Sequence, residues 1–216
     1  MHKSASVAFG AVAVQPPHVE AGQRIGLLGG SFNPPHAAHV LISRIAVARL
    51  GLDRIWWIVT PGNPLKDHAE LPPLEDRLAL CRDLARDPRI VVTGFEAGLA
   101  TPYTAATLGF LTRRRPRVHF VWVMGADCLA GFHRWQHWRE IFARLPIAVV
   151  DRPGWHLKAM SSPAARAFAG ARWPQERARC LVSAEAPAWT LLTGPSSSIS
   201  STAIRKVGSG RGLEGT

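Results

Sequence analysis

Arg24-Ile25-Gly26-Leu27-Leu28-Gly29-Gly30-Ser31-Phe32-Asn33-Pro34-Pro35-His36-Ala37-Ala38-His39 is the stretch on which the reading of this chain turns. The apolar run up to Gly29 predicts a strand, the glycine pair a turn, and the residues after Pro35 the start of a helix. Glycine lets a backbone come close to a ligand, and Pro34 and Pro35 predict an extended approach. His36 and His39, three apart, share one face of the first helical turn. The unpaired N–H groups and positive dipole end of such a helix attract anions, and two imidazoles add hydrogen-bond donors. The expectation is a phosphate-binding turn. A P-loop would need Lys followed by Ser or Thr after its second glycine, and a dinucleotide fingerprint three spaced glycines. A zincin pair would be spaced by four with Glu after the first His. None of these stands here.

Outward from this stretch, apolar runs alternate with helical spacing. Strands are predicted at Arg24 to Gly29, Arg54 to Val59, Arg89 to Thr93, Val118 to Met124, Ile147 to Val150 and Trp189 to Thr193. Helices are predicted at His39 to Leu50, Leu74 to Ala85, around Ala105 to Leu111, and Trp138 to Leu145. Several strands are continuously apolar, as strands buried on both faces are. The alternation argues for an α/β fold with a doubly wound parallel sheet, in which ligands sit at the C-terminal strand ends where the winding reverses. The Gly29 and Gly125 turns both leave strands there. Lys158 to Arg179, rich in Ala, Arg, Ser and Pro, is the least regular stretch and reads as a helical excursion.

The 216 residues suit a single domain, expected over 24–207, with a flexible extension over 1–23 and a glycine-rich tail over 208–216. Cys81, Cys128 and Cys180 contain no CxxC pair, so neither a disulfide framework nor a zinc ribbon is indicated, and a reducing cytoplasm is the expected compartment. No apolar run approaches the roughly 20 residues that cross a bilayer, so no membrane partner is expected. The net charge of +11, mostly arginine, favours anionic partners. No zinc finger, basic zipper or RNP-type strand accompanies it, and small phosphorylated substrates explain it with fewer assumptions than nucleic acid. A homo-oligomer is compatible with the sequence.

Gly29 to His39 resembles the GGSFNPxHxGH signature of the nucleotidyltransferase superfamily, and Ile199-Ser200-Ser201-Thr202-Ala203-Ile204-Arg205 resembles its ISSTxIR segment. Between them, five pieces are similar to bacterial nicotinate-nucleotide adenylyltransferases. They are Thr60 to Lys66, Tyr103-Thr104, Met124 to Asp127, Phe132 to Trp135 and Asp151 to Gly154. The resemblance covers Arg24 to Lys206 and implies a Rossmann-like fold that moves AMP from ATP to nicotinate mononucleotide, giving nicotinate adenine dinucleotide and pyrophosphate.

It further implies that His36, His39 and Arg205 act on the phosphates, with His39 the foremost stabiliser of the transition state. Gly29, Gly30, Ser31, Phe32, Gly125, Asp127, Ile199, Ser200, Ser201 and Thr202 would complete the ATP site. Lys66, Thr104, Trp135 and Arg152 would hold the mononucleotide, with the Trp135 indole stacking on the pyridine ring. No carboxylate cluster dedicated to metal is visible, so Mg²⁺ would arrive with ATP, its co-substrate. Three positions depart from the pattern. Ala38 replaces a glycine, Ala106 an aspartate, and Cys128 a polar residue. Two rival readings stay open. One is a sister enzyme for another phosphorylated acceptor such as phosphopantetheine, and the other is a nucleotide- or RNA-binding module on the same fold with weakened catalysis.

Overall fold

The computed structural model describes residues 15–62, 71–99 and 103–194. Seven strands form one parallel sheet: β1 (Arg24–Gly30), β2 (Arg54–Val59), β3 (Ile90–Thr93), β4 (His119–Gly125), β5 (Ile147–Val150), β6 (Arg172–Trp173) and β7 (Trp189–Leu192), in the order β3-β2-β1-β4-β5-β7-β6. The winding reverses between β1 and β4, so the C-terminal ends of these two strands open the crevice in which such sheets bind ligands.

Alternate residues of each strand feed two separate cores. Ile25, Leu27, Trp56, Ile58, Trp122, Met124, Ile147 and Val149 point to one face. Helices α3 (Thr104–Arg114), α4 (Ala126–Gly131), α5 (Trp138–Arg144), α6 (His156–Met160) and α7 (Pro163–Ala167) pack there. Leu28, Ile55, Trp57, Val59, Val121, Val123 and Val150 point to the other, under α1 (Ala37–Leu50), α2 (Leu74–Leu84) and α8 (Ala178–Leu181). Burial on both faces is why the strand sequences lack polar alternation. α1 stops at Gly51, whose φ of 63° lies in the left-handed region that only glycine adopts without cost.

The six predicted strands are present, each with ends within two residues of expectation. β6 is additional: two residues are too short to leave a periodicity in sequence. The excursion at Lys158 to Arg179 resolves into α6, α7, β6 and the start of α8 rather than one helix, because Pro163 and Pro174 interrupt it and Ser162 caps α7 through the Ala165 N–H. Ahead of β1, Val19 is buried in the first core, and the Gly22 N–H donates to the Arg117 carbonyl at 2.7 Å. Among the described residues no helix is long and apolar enough to cross a membrane.

Candidate active site

The turn after β1 is built around space that only glycine leaves open. A Cβ on Gly29 would overlap the six-membered ring of Trp122 on β4, so the glycine read as room for a ligand is also room for an indole. Phe32 is buried with φ 45° and lies 5.1 Å from Trp57, nearly parallel to it. The Asn33–Pro34 peptide is cis, a geometry proline tolerates.

His36 is the N-cap residue of α1, and its backbone N–H donates to His39 Nδ1 at 3.2 Å. Because Nδ1 accepts, the neutral His39 ring carries its proton on Nε2, which is therefore a donor. The two ring centroids lie 3.9 Å apart, and that of Phe32 lies 4.7 Å from His39. Beneath them the Trp57 indole N–H donates to Ser43 Oγ at 2.7 Å, and that hydroxyl donates to the His39 carbonyl at 2.8 Å. Burial, reinforced by the neighbouring Arg152, lowers the His36 pKa from 6.5 to about 4, while Asp127 pulls weakly the other way. Burial, then His36 and Arg152, lowers that of His39 to about 3. Both imidazoles are thus uncharged in the free protein at neutral pH.

Across the crevice, β4 runs straight into α4 and sets Asp127 in its first turn. Arg152, just beyond β5, donates from Nη1 to Asp127 Oδ2 at 2.6 Å. Gly125 packs under this pair, where a Cβ would overlap Asp127 Oδ1. Arg152, expected to hold the mononucleotide, packs beside Gly125 and lies close enough to both histidines to lower their pKa values. The next residue back, Asp151, accepts from the Arg152 N–H at 2.8 Å and lies 2.7 Å from His156 Nδ1.

Trp135 follows the 3-10 turn Phe132–Arg134, half-buried, 4.9 Å from Phe132 and edge-on to Trp122 at 6.3 Å. Trp122 therefore spaces Trp135 from the Gly29 turn. Thr104 is the first residue of α3 on the same side of the sheet. Lys66 and the whole of Ile199, Ser200, Ser201, Thr202 and Arg205 lie outside the described residues. Of the departures from the motif, Ala38 is 2% exposed, its methyl taken up in packing, whereas Ala106 is exposed on α3.

Three supporting features were not legible in the sequence. Ser43 with Trp57 is one, and Arg77 on α2 is another. Glu96, the third, is buried and accepts from Thr107 Oγ1 at 2.6 Å. Burial pushes the Glu96 carboxyl up to about 7 against the pull of hydrogen bonds from Thr107 and Thr60. A signal existed for Arg77: it sits between Leu74, Leu78 and Cys81 on the apolar stripe of its helix, where a solvated arginine has no place.

A doubly wound sheet with paired imidazoles at a helix start and an ion pair across the switch point is the arrangement the sequence led us to expect of a nucleotidyltransferase. The family model for cytidylyltransferase-like proteins matches residues 27–207, and the chain belongs to that family. Within it, the chain is 59% identical over 182 residues to a probable nicotinate-nucleotide adenylyltransferase of Methylorubrum extorquens, covering 84% of this chain and 98% of that protein. A protein of the same name from Mesorhizobium japonicum is 55% identical over 194 residues, 90% of this chain and all of the relative. Among solved structures, the nicotinic acid mononucleotide adenylyltransferase of Plasmodium falciparum complexed with NaAD superposes with a TM-score of 0.63 at 17% identity. It covers 85% of this chain and 83% of that one, a likeness of fold.

Proposed function

We infer that this protein is a nicotinate-nucleotide adenylyltransferase: it transfers AMP from ATP to nicotinate mononucleotide and releases pyrophosphate. The observation that carries the reading is the His36–His39 pair, uncharged and in contact, with rings tilted by 34°, at the start of α1, facing the Asp127–Arg152 ion pair across the β1/β4 switch. High identity to relatives bearing that name, over nearly their whole length, supports the choice of acceptor.

In the reaction an oxygen of the mononucleotide phosphate attacks the α-phosphorus of ATP, a P–O bond forms, and the bond to the bridging oxygen of pyrophosphate breaks. The protein's task is to position both anions and to stabilise charge on the phosphate oxygens. His39, whose Nδ1 accepts from the His36 N–H and whose proton is therefore on Nε2, is a donor to those oxygens. His36 is a second, and the free N–H groups of the first turn of α1 add their dipole. Arg152 supplies fixed positive charge, and Asp127 orients it while offering an acceptor to the ribose. Trp135 is the stacking surface for the pyridine ring, with Thr104 and Lys66 toward the same substrate.

Ser200, Ser201, Thr202 and Arg205 are assigned to the triphosphate on sequence alone. Among the described residues no cluster of three or more His, Cys, Asp or Glu side chains converges. Neutral imidazoles and a carboxylate already paired to arginine make a poor oxygen cage, so the fitting arrangement is Mg²⁺ carried in by the triphosphate. The reading places the protein in the cytoplasm.

The test is to follow pyrophosphate and dinucleotide formation from Mg·ATP with nicotinate mononucleotide, nicotinamide mononucleotide and phosphopantetheine in parallel. Preferential formation of nicotinate adenine dinucleotide is the expected outcome. Preference for phosphopantetheine would reassign the acceptor, and nucleotide binding without product would make the chain a binding module.

A further inference from the structure

Arg77 is 1% exposed, and among the described residues no carboxylate pairs with it. Its guanidinium instead donates to four main-chain carbonyls. Nη1 donates to Ser31 and to Thr60, each at 2.8 Å, Nη2 to Pro61 at 3.2 Å, and Nε to Pro72 at 2.9 Å. Ser31 belongs to the loop that ends in His36. Thr60 and Pro61 open the segment that continues to Lys66, and Pro72 leads into α2. One side chain therefore joins the loops that leave the two adjacent strands β1 and β2.

These carbonyls lie past the strand ends, where the ladder offers no further N–H, and a buried carbonyl without a donor is costly. The rigid five-donor fork of arginine reaches several diverging carbonyls at once; a lysine presents a single point. If packing were the only requirement, an apolar side chain of similar volume would serve at least as well as a buried cation. What the cation adds is a fixed separation between the two loops.

We propose that Arg77 is a positioning residue for adenylyl transfer: through Ser31, Thr60 and Pro61 it holds the loop carrying the imidazoles at a fixed spacing from the exit of β2. The proposal rests on the adenylyltransferase reading for its kinetic consequence, though not for the strut itself. The arginine touches neither substrate. Its loss lets the loop that carries His36 shift, and a misplacement of about 1 Å can cost on the order of a hundredfold in rate.

The experiment compares the full-length protein with Arg77→Met and the milder Arg77→Lys by two readouts. In ligand-free protein, hydrogen exchange is expected to accelerate together at Ser31 and Phe32 and at Thr60 and Gly62, in Arg77→Lys as well as Arg77→Met, while the amides of β4 and β5 keep their protection. In steady state, kcat with both substrates saturating should fall by about ten- to a hundredfold, with KM for each substrate changed by less than about threefold. Exchange changes confined to α2, or a kcat per folded molecule within twofold of the parent in Arg77→Lys, would overturn the proposal. If Arg77→Met does not fold, Arg77→Lys carries both readouts. If the parent protein forms no dinucleotide, the function reading fails, and the exchange experiment still decides whether Arg77 joins the loops.

Discussion

The exits from β1 and β4 face one another across the crevice, yet they are built on different principles. After β1 the chain takes six residues, Ser31 to Pro35 and then the cap His36, before α1 begins, and it presents two imidazoles that burial keeps uncharged. After β4 there is no loop at all: Gly125 passes directly into α4, and Asp127 is locked to Arg152. The first exit offers donors that stay neutral until an anion arrives, and the second a fixed pair of charges. A site that must hold several phosphates and then let pyrophosphate go gains from this division. Neutral donors respond to charge as it develops, and the ion pair keeps its geometry throughout.

The largest effect is expected at His39. With the Nε2–H donor removed, His39→Ala should lower kcat by about a hundred- to a thousandfold, the range seen when one such donor is lost. The KM for nicotinate mononucleotide should move little, which initial-rate kinetics with each substrate varied would show. Gly29→Ala tests the frame of the same exit. Its methyl overlaps Trp122, and overpacking of this kind costs about 1–3 kcal/mol, read as a lowered midpoint in urea unfolding. On the other exit, Asp127→Asn removes the negative charge that Arg152 Nη1 meets there. Activity should drop about tenfold, and a weaker dependence of KM for ATP on salt than in His39→Ala would contradict the assignment of fixed charge to this side.

The smallest effect is in the pH dependence of stability. A histidine whose pKa is lowered on folding contributes stability that is complete above about 6.5 and is lost as pH falls toward 4 and 3. Glu96, raised from 4.5 to about 7, does the opposite: its contribution is complete below about 4.5 and is lost as pH rises to about 7. The two slopes oppose each other in the parent protein. Glu96→Gln should unmask the histidine slope and raise stability at pH 8 by on the order of 1 kcal/mol, measured by unfolding at a series of pH values. A parent-like profile in that variant would contradict the burial assigned to Glu96.

What could be read without coordinates follows from how local each signal is. β2 and β5 were legible to the residue because continuous apolar runs bounded by Arg54 and Pro146 leave few alternatives. The β1 exit was legible because its glycines, prolines and histidines are adjacent in sequence. Arg77, Glu96 and the Ser43–Trp57 bond were not, since each acts on a partner brought close only by the sheet. Gly29 was legible as a necessity, but the neighbour that demands it is Trp122, far along the chain on β4, which no local pattern foretells. The placement of Arg152 beside the histidines likewise depends on the strand order that sets β5 next to β4.

The claim on which the rest depends is that the β1 exit works with uncharged donors. The direct measurement is a pH titration of the imidazole ¹⁵N resonances in the ligand-free protein. His39 is expected to keep its proton on Nε2 with Nδ1 bare, and both His36 and His39 to titrate below about 5. A His39 protonated on both nitrogens at neutral pH, or one with its proton on Nδ1, would contradict it.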